Sequence, residues 1–222
     1  HVSRVHTVLS DFESAAAENE GKLVEAQQRM SELEEMASVM FDRVVRAGLA
    51  PQDSLMVERT REGAAEVTAL ALAALADGSL DEARLFDDNY VEIAGTNPQL
   101  YRNRFSDWAD ANWRPVLDRI KASDPSIVAT VCDDRNGFLP THLSDRSRAP
   151  TGDYSHDLQY CRNGRMIFNA IDKRIKNSDE PYSMAVYRYE GDGKQYRVVR
   201  LASVPIIING RRWGDYEISY AV

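Results

Sequence analysis

The sequence predicts an α+β chain: a long N-terminal coiled-coil helix, a helical segment, and then a five-stranded antiparallel sheet. Three observations carry this prediction. Apolar or small residues recur at three-then-four spacing from Val2 to Val44, in a stretch without Pro. After Asp124-Pro125 the apolar period changes from about 3.6 to 2. Asn-Gly pairs at 136–137 and 209–210 mark tight turns between runs of β-branched residues.

The first helix is read from Val2, Val5, Leu9, Phe12 and Ala16, then Leu23, Ala26, Met30, Leu33, Ala37, Met40 and Val44. Asn19 fills the one missing slot and Gly21 stands beside it. A 3.5-residue period holds these positions on one seam of a supercoiled helix. About 45 residues at a 1.5 Å rise make a helix of roughly 67 Å, too long to pack wholly on one small domain. Either a second chain covers the seam, or the helix folds back on its own chain. Gly48 and Pro51 end it. This divides the chain into a coiled-coil helix over 1–48 and a domain over 49–222, helical over 49–125 and sheet over 126–222.

Within the helical part, one helix runs from Asp53 or Ser54 to Asp77-Gly78, and a shorter one follows Ser79. Residues 86–101 read as an ordered loop. An aromatic helix over about 102–122 carries Phe105, Trp108, Trp113, Leu117 and Ile120 inward. The five expected strands are Ile127–Cys132, Phe138–His142, Ser183–Tyr189, Tyr196–Ile208 and Trp213–Ala221, with Asp157–Lys176 partly helical. A turn is expected at Gly191-Asp192-Gly193, and a break at Pro205.

Composition limits the function. The chain has 222 residues, 43% hydrophobic and 28% charged, with a net charge of −8. No apolar run approaches 18 residues, so no segment is expected to contact or span a membrane. Residues 134–222 carry +3 and residues 1–133 carry −11. An acidic front argues against nucleic-acid binding. The basic rear suits a small anionic ligand, though a solvated mixed surface explains it as well. Two cysteines, Cys132 and Cys161, make no disulfide framework.

Phosphate-loop, dinucleotide, HExxH and GxSxG motifs are absent. Asp134-Arg135-Asn136-Gly137 lacks the closing Glu of a calcium loop, because Leu143 stands there. His142, His156, Cys132 and Cys161 have no recognised zinc spacing. No enzyme activity, metal or cofactor is therefore expected. The best constellation joins cations and aromatics: Arg135, His142, Arg162, Asn163, Arg165, Tyr187, Arg188, Tyr189, Arg211, Arg212 and Trp213. Arginine forks bind carboxylate or phosphate, and aromatic walls exclude water around them. Solvent-facing strand charges are the plainer alternative.

Six stretches, in order, are similar to a family of sensory domains in bacterial methyl-accepting chemotaxis proteins. They are Leu85–Tyr90, Ile93–Pro98, Asp134–His142, Cys161–Phe168, Tyr187-Arg188 and Ser203–Gly214. The resemblance covers roughly residues 80–222. It implies a PAS/Cache-like fold following a coiled-coil signalling region, and a cytoplasmic, C-terminal sensor. Its two protomers would be coupled through the N-terminal helix, and chemotaxis signalling proteins would be contacted through the upstream region.

Asp134, His142, Arg162, Asn163, Arg165, Arg188 and Trp213 match the family pattern. Leu143, Gly164, Arg212 and Tyr189-Glu190 depart from it. The expected ligand residues are Arg162, Arg165, Arg188, His142, Asn163, Tyr187 and Trp213. A dimerisation or adaptor module with a vestigial pocket is the alternative, and a haem or redox sensor a third. Residues 50–222 alone are expected to be mostly monomeric.

Overall fold

The computed structural model describes residues 2–189 and 197–221, with side chains over 11–187 and 198–221. The Gly191-Asp192-Gly193 turn and the Arg188 side chain lie outside the described residues.

One unbroken helix, α1, runs over Val2–Arg46, and α2 over Pro51–Asp77. The short α3 spans Glu82–Leu85. The expected loop at 86–101 instead contains a small ribbon, β1 (Val91–Ile93) against β2 (Leu100–Arg102). The aromatic helix is two helices, α4 (Ser106–Asn112) and α5 (Arg114–Ala122). Pro115 explains the break, since it lacks an N–H and its ring clashes with the preceding turn.

The sheet is built from β3 (Ile127–Asp134), β4 (Ser183–Tyr189), β5 (Arg197–Ile208) and β6 (Arg211–Tyr220). Their order is β3-β6-β5-β4, all antiparallel. Among the described residues this sheet has four strands, not five. Phe138–His142 leaves the sheet, and Phe138 makes only an isolated bridge to Met166. The cause is local: Asp134 accepts hydrogen bonds from the backbone N–H groups of Asn136 and Phe138, at 2.8 and 2.9 Å, and turns the chain away from β3. Pro205 does not break β5. It lies past Ser203, where the pairing with β4 ends, so its missing N–H disrupts no ladder there.

Strand alternation gives the sheet two faces. One carries Cys132, Met184, Ala202, Val204, Tyr216 and Ile218, buried against α2, α4 and α5 in the main core. Trp113 and Trp213 meet edge to face there, with centroids 4.8 Å apart. A Cβ on Gly63 would come within 2.4 Å of the Tyr216 ring, so glycine is what lets α2 lie this close to β6. The other face carries Ala129, Val131, Asp133, Leu201, Glu217 and Ser219. It is crossed by residues 138–176, including α6 (Tyr154–Tyr160) and α7 (Ala170–Lys176).

The last third of α1 packs along β4, the edge of the sheet. Its side chains satisfy the strand's free backbone groups. Ser38 Oγ donates to the Val186 carbonyl at 3.0 Å and accepts from the Val186 N–H at 3.1 Å. Asp42 accepts from the Met184 N–H at 2.7 Å, and Arg46 donates to the Tyr182 carbonyl. The helix thus does for the edge what another strand would do. The stripe it presents is Ser31, Glu34, Ser38, Phe41 and Val45. Each is one residue on from a seam position, hence about 100° round the helix. The seam itself stays open, with Leu33 56% and Met40 67% exposed.

Candidate functional site

Between the second sheet face, the segment 138–176 and α1 lies a cavity of about 670 Å³. β3 supplies Ala129, Val131 and Asp133, and β6 supplies Glu217 and Ser219. Leu201 of β5 and Tyr187 of β4 complete the strand side. The crossing segment adds His142, Arg162, Arg165, Ile171 and Asp172, and α1 adds Ser31 and Glu34. Turn chemistry puts the arginines there. Arg162 N–H donates to the Arg146 carbonyl at 2.7 Å, and Gly164 N–H to the Leu139 carbonyl at 2.9 Å. Gly164 has φ +84°, and a Cβ there would sit 2.3 Å from the Tyr101 carbonyl oxygen. An arginine at that position would not fit this backbone.

Of the seven expected ligand residues, His142, Arg162, Arg165 and Tyr187 line the cavity together. Asn163 points elsewhere: its amide donates to Asp110 of α4 at 3.1 Å. Trp213 is buried in the aromatic core and donates its indole N–H to the Leu85 carbonyl at 2.9 Å. It borders a separate, smaller cavity of about 270 Å³ beside Arg135, Arg211 and Arg212. Asp134 builds its turn. Two departures from the family pattern, Leu143 and Gly164, lie outside the lining of the large cavity, so neither weakens it.

The electrostatics divide the cavity. Burial, then the neighbouring Arg162, lower the pKa of Arg165. Among the described residues Arg165 makes no ion pair; its guanidinium's one hydrogen bond goes to the Leu158 carbonyl at 3.4 Å. Burial and then Arg162, Arg146, Arg165 and Arg114 hold the His142 pKa well below the usual histidine value. His142 is therefore neutral. Its Nδ1 accepts from the Leu143 N–H at 2.8 Å, which leaves Nε2 as the donor.

The acidic side was not anticipated. Lys176 Nζ lies 2.6 Å from Asp133 Oδ2 and 3.3 Å from Asp215 Oδ2. Arg212 meets Asp215 Oδ1 at 2.6 Å. Burial lowers the Lys176 pKa, but Asp133 and Asp215 together outweigh it and hold the ammonium charged. Burial, then Asp133, push Glu217 well above the carboxylate range. Burial also raises Asp133 and Asp172. Asp172 accepts from the Asn169 N–H at 2.7 Å in the capping box that starts α7. In sequence, Asp215, Glu217 and Ser219 alternate as a solvent-facing strand edge would. Charges at alternate positions of a strand followed by no further edge signal were the available clue.

His156, Asp157 and Cys161 bring three ligand-type atoms within 4.8 Å of one another. Asp157 is already committed: it accepts from the backbone N–H groups of Thr151 and Gly152, both at 2.9 Å, and from Thr151 Oγ1 at 2.9 Å. Burial and then Asp157 raise the Cys161 thiol. A loop anchor accounts for this group. Among the described residues no helix is long and apolar enough to cross a membrane.

No family model matches this chain, and no curated protein matches it. Solved structures similar to it include the sensor domain of Escherichia coli DcuS, at 12% identity and a TM-score of 0.33, over 49% of this chain and 65% of that one. The ligand-binding domain of the Campylobacter jejuni chemoreceptor Tlp3, in complex with 4-methylisoleucine, is 12% identical with a TM-score of 0.42, over 86% of this chain and 60% of that one. The Tlp3 sensory domain with isoleucine bound is 10% identical with a TM-score of 0.42, over 89% and 62%. The chain thus spans about 60–65% of the length of these structures. Likeness at this distance carries no functional argument.

Proposed function

We propose that this is the sensory domain of a chemoreceptor-like signalling protein, which binds a small anionic ligand and relays its presence through a dimeric coiled coil. One observation carries the reading. The cavity that holds two adjacent, partly buried arginines, Arg162 and Arg165, is walled in part by Ser31 and Glu34 of α1. Ligand site and long helix are therefore one contiguous surface. Arg165 lacks a counter-ion among the described residues, which is the state an anion would relieve. The resemblance of residues 80–222 to chemotaxis sensory domains, and a cytoplasmic setting, belong to the same proposal.

A thermal-shift screen of the 222-residue chain against organic acids, amino acids, nucleobases and phosphates tests it. A ligand at about 100 times its dissociation constant should stabilise by about 2.7 kcal/mol, a shift of a few degrees. Arg165→Ala should abolish that shift. A flat screen favours the adaptor alternative.

The dimer is proposed from the open seam. Leu23, Met30, Leu33, Met40 and Val44 are all more than 40% exposed, while the stripe beside them is spent on the domain. A second copy of α1 along this seam gives them burial. Ligand contact with Glu34 then bears on the residue next to Leu33 of the seam. Such a contact shifts the helix pair only by its differential affinity for two packings. Leu33→Glu with Met40→Glu should convert a dimer in sedimentation experiments to a monomer and leave the sheet domain's melting unchanged. An unaltered sedimentation coefficient would place any dimer contact elsewhere.

A further inference from the structure

One end of the sheet holds a second cavity that the sensor reading does not use. Asp134 of β3 lies opposite Gly214 of β6, so the turn at 134–137 and the hairpin turn at 209–210 stand at the same end of the sheet. The segment after α3 covers them and closes a space of about 270 Å³. The rim is fastened from both sides. Trp213 donates its indole N–H to the Leu85 carbonyl, and the Asn209 amide donates to Glu82, both at 2.9 Å. The Tyr90 hydroxyl donates to Asp134 at 2.5 Å and accepts from the Asn136 amide at 2.8 Å. Parts of three stretches singled out in the sequence, Leu85–Tyr90, Asp134–His142 and Ser203–Gly214, therefore meet here. The two cavities share no lining residue.

The charges of this cavity are unevenly matched. Arg135 of the first turn and Arg211 at the start of β6 line it and are exposed. Neither guanidinium makes an ion pair or a hydrogen bond among the described residues. Arg211 instead lies over the Phe86 ring, 4.0 Å from its centroid, which holds the guanidinium beside the cavity. The acids are mostly engaged. Asp87 accepts from the Arg104 N–H at 2.9 Å and from its guanidinium at 3.1 Å. Asp134 holds its own turn and the Tyr90 hydroxyl. Asp88 is exposed, where solvent and salt screen its charge. Arg212 does not enter the balance, because Asp215 and the carbonyls of α7 and Ser178 hold its guanidinium.

We propose that this second cavity is a phosphate site, in which Arg135 and Arg211 take the oxygens of a phosphate anion, free or as a monoester. A guanidinium fork pairs with two oxygens at once. A carboxylate is saturated by one fork and leaves the other arginine unpaired. A phosphate monoester presents three acceptor oxygens and about −1.5 to −2 charges at pH 7, which occupies both. The walls suit such a head group better than an apolar body: Leu85 and Trp213 are buried, and Arg211 covers Phe86. The site goes beyond the sensor reading and does not need the large cavity to bind anything.

The test is calorimetric titration of the whole chain with orthophosphate, glycerol 3-phosphate and acetate at one ionic strength. The better phosphate compound should bind at least about tenfold tighter than acetate, which engages one fork only. Arg135→Ala and Arg211→Ala should each weaken it by about tenfold. Both side chains are exposed, so neither substitution removes core packing, and melting curves without phosphate check this. The comparison with acetate needs only the unaltered chain. Tighter binding of the monoester assigns an esterified ligand, and tighter binding of orthophosphate the free ion; either supports the site. Phosphate binding that survives both substitutions but is lost in Arg165→Ala places the anion in the large cavity, so this inference fails and the sensor reading gains. Acetate binding equal to phosphate, or no saturation by about 10 mM phosphate, also overturns the inference and leaves the sensor reading to its own screen.

Discussion

Lys176→Met is expected to lower stability by about 3 kcal/mol at neutral pH, measured by urea denaturation. The side chain is 4% exposed and is held between Asp133 and Asp215. Met keeps the volume but removes the charge, so two buried carboxylates lose their shared partner. Arg212 still serves Asp215, which leaves Asp133 as the main liability. Adding Asp133→Asn should restore most of the loss, since the amide needs no counter-ion. A loss under 1 kcal/mol would mean that the network is wetter than its burial indicates.

The sign of its pH dependence follows. Asp133, Asp172 and Glu217 all titrate higher in the fold than in the unfolded chain. Above about pH 4 the folded state therefore holds more protons, and stability falls as pH rises through the raised values. The Lys176→Met defect should accordingly be smaller at pH 5 than at pH 8. Lys176 itself titrates above its ordinary value, so its contribution is present at neutral pH and lost only in strong alkali.

Removal of residues 1–47 is the second large effect. It takes away Val45, buried at 3% exposure, together with the side chains of Ser38, Asp42 and Arg46 that close the β4 edge. One buried Val and several strand hydrogen bonds, some charge-assisted, together give a loss on the order of 5 kcal/mol. The bared edge should also self-associate. From the sequence, a fragment lacking the helix was expected to be monomeric; the edge contacts change that expectation. A chain beginning at Gln28 keeps Ser31, Glu34 and the whole edge seal. It should melt like the full chain, and light scattering should separate the two fragments. Equal behaviour of both would show that α1 contributes nothing to the domain.

Local signals determined much of this protein. Three-then-four spacing without Pro yielded α1 to within two residues of its end at Arg46, because helix periodicity and helix stops are written along the chain. The change to period 2 located β3, β4, β5 and β6, and Asn-Gly located the turn between the last two. Of the seven ligand residues expected from the sequence, Arg162, Arg165, His142 and Tyr187 line one cavity. Other features depended on what faces what. Asp134 turns Phe138–His142 out of the sheet through side-chain bonds that propensity does not encode. Trp213 and Asn163 carry binding chemistry but are spent on the core and on Asp110. Glu217 and Asp133 look like surface strand charges until α7 and its flanking segment cover that face. Only the tertiary structure decided that α1 gives one stripe to the domain and leaves its seam free, because a period says which residues share a face but not which neighbour occupies it.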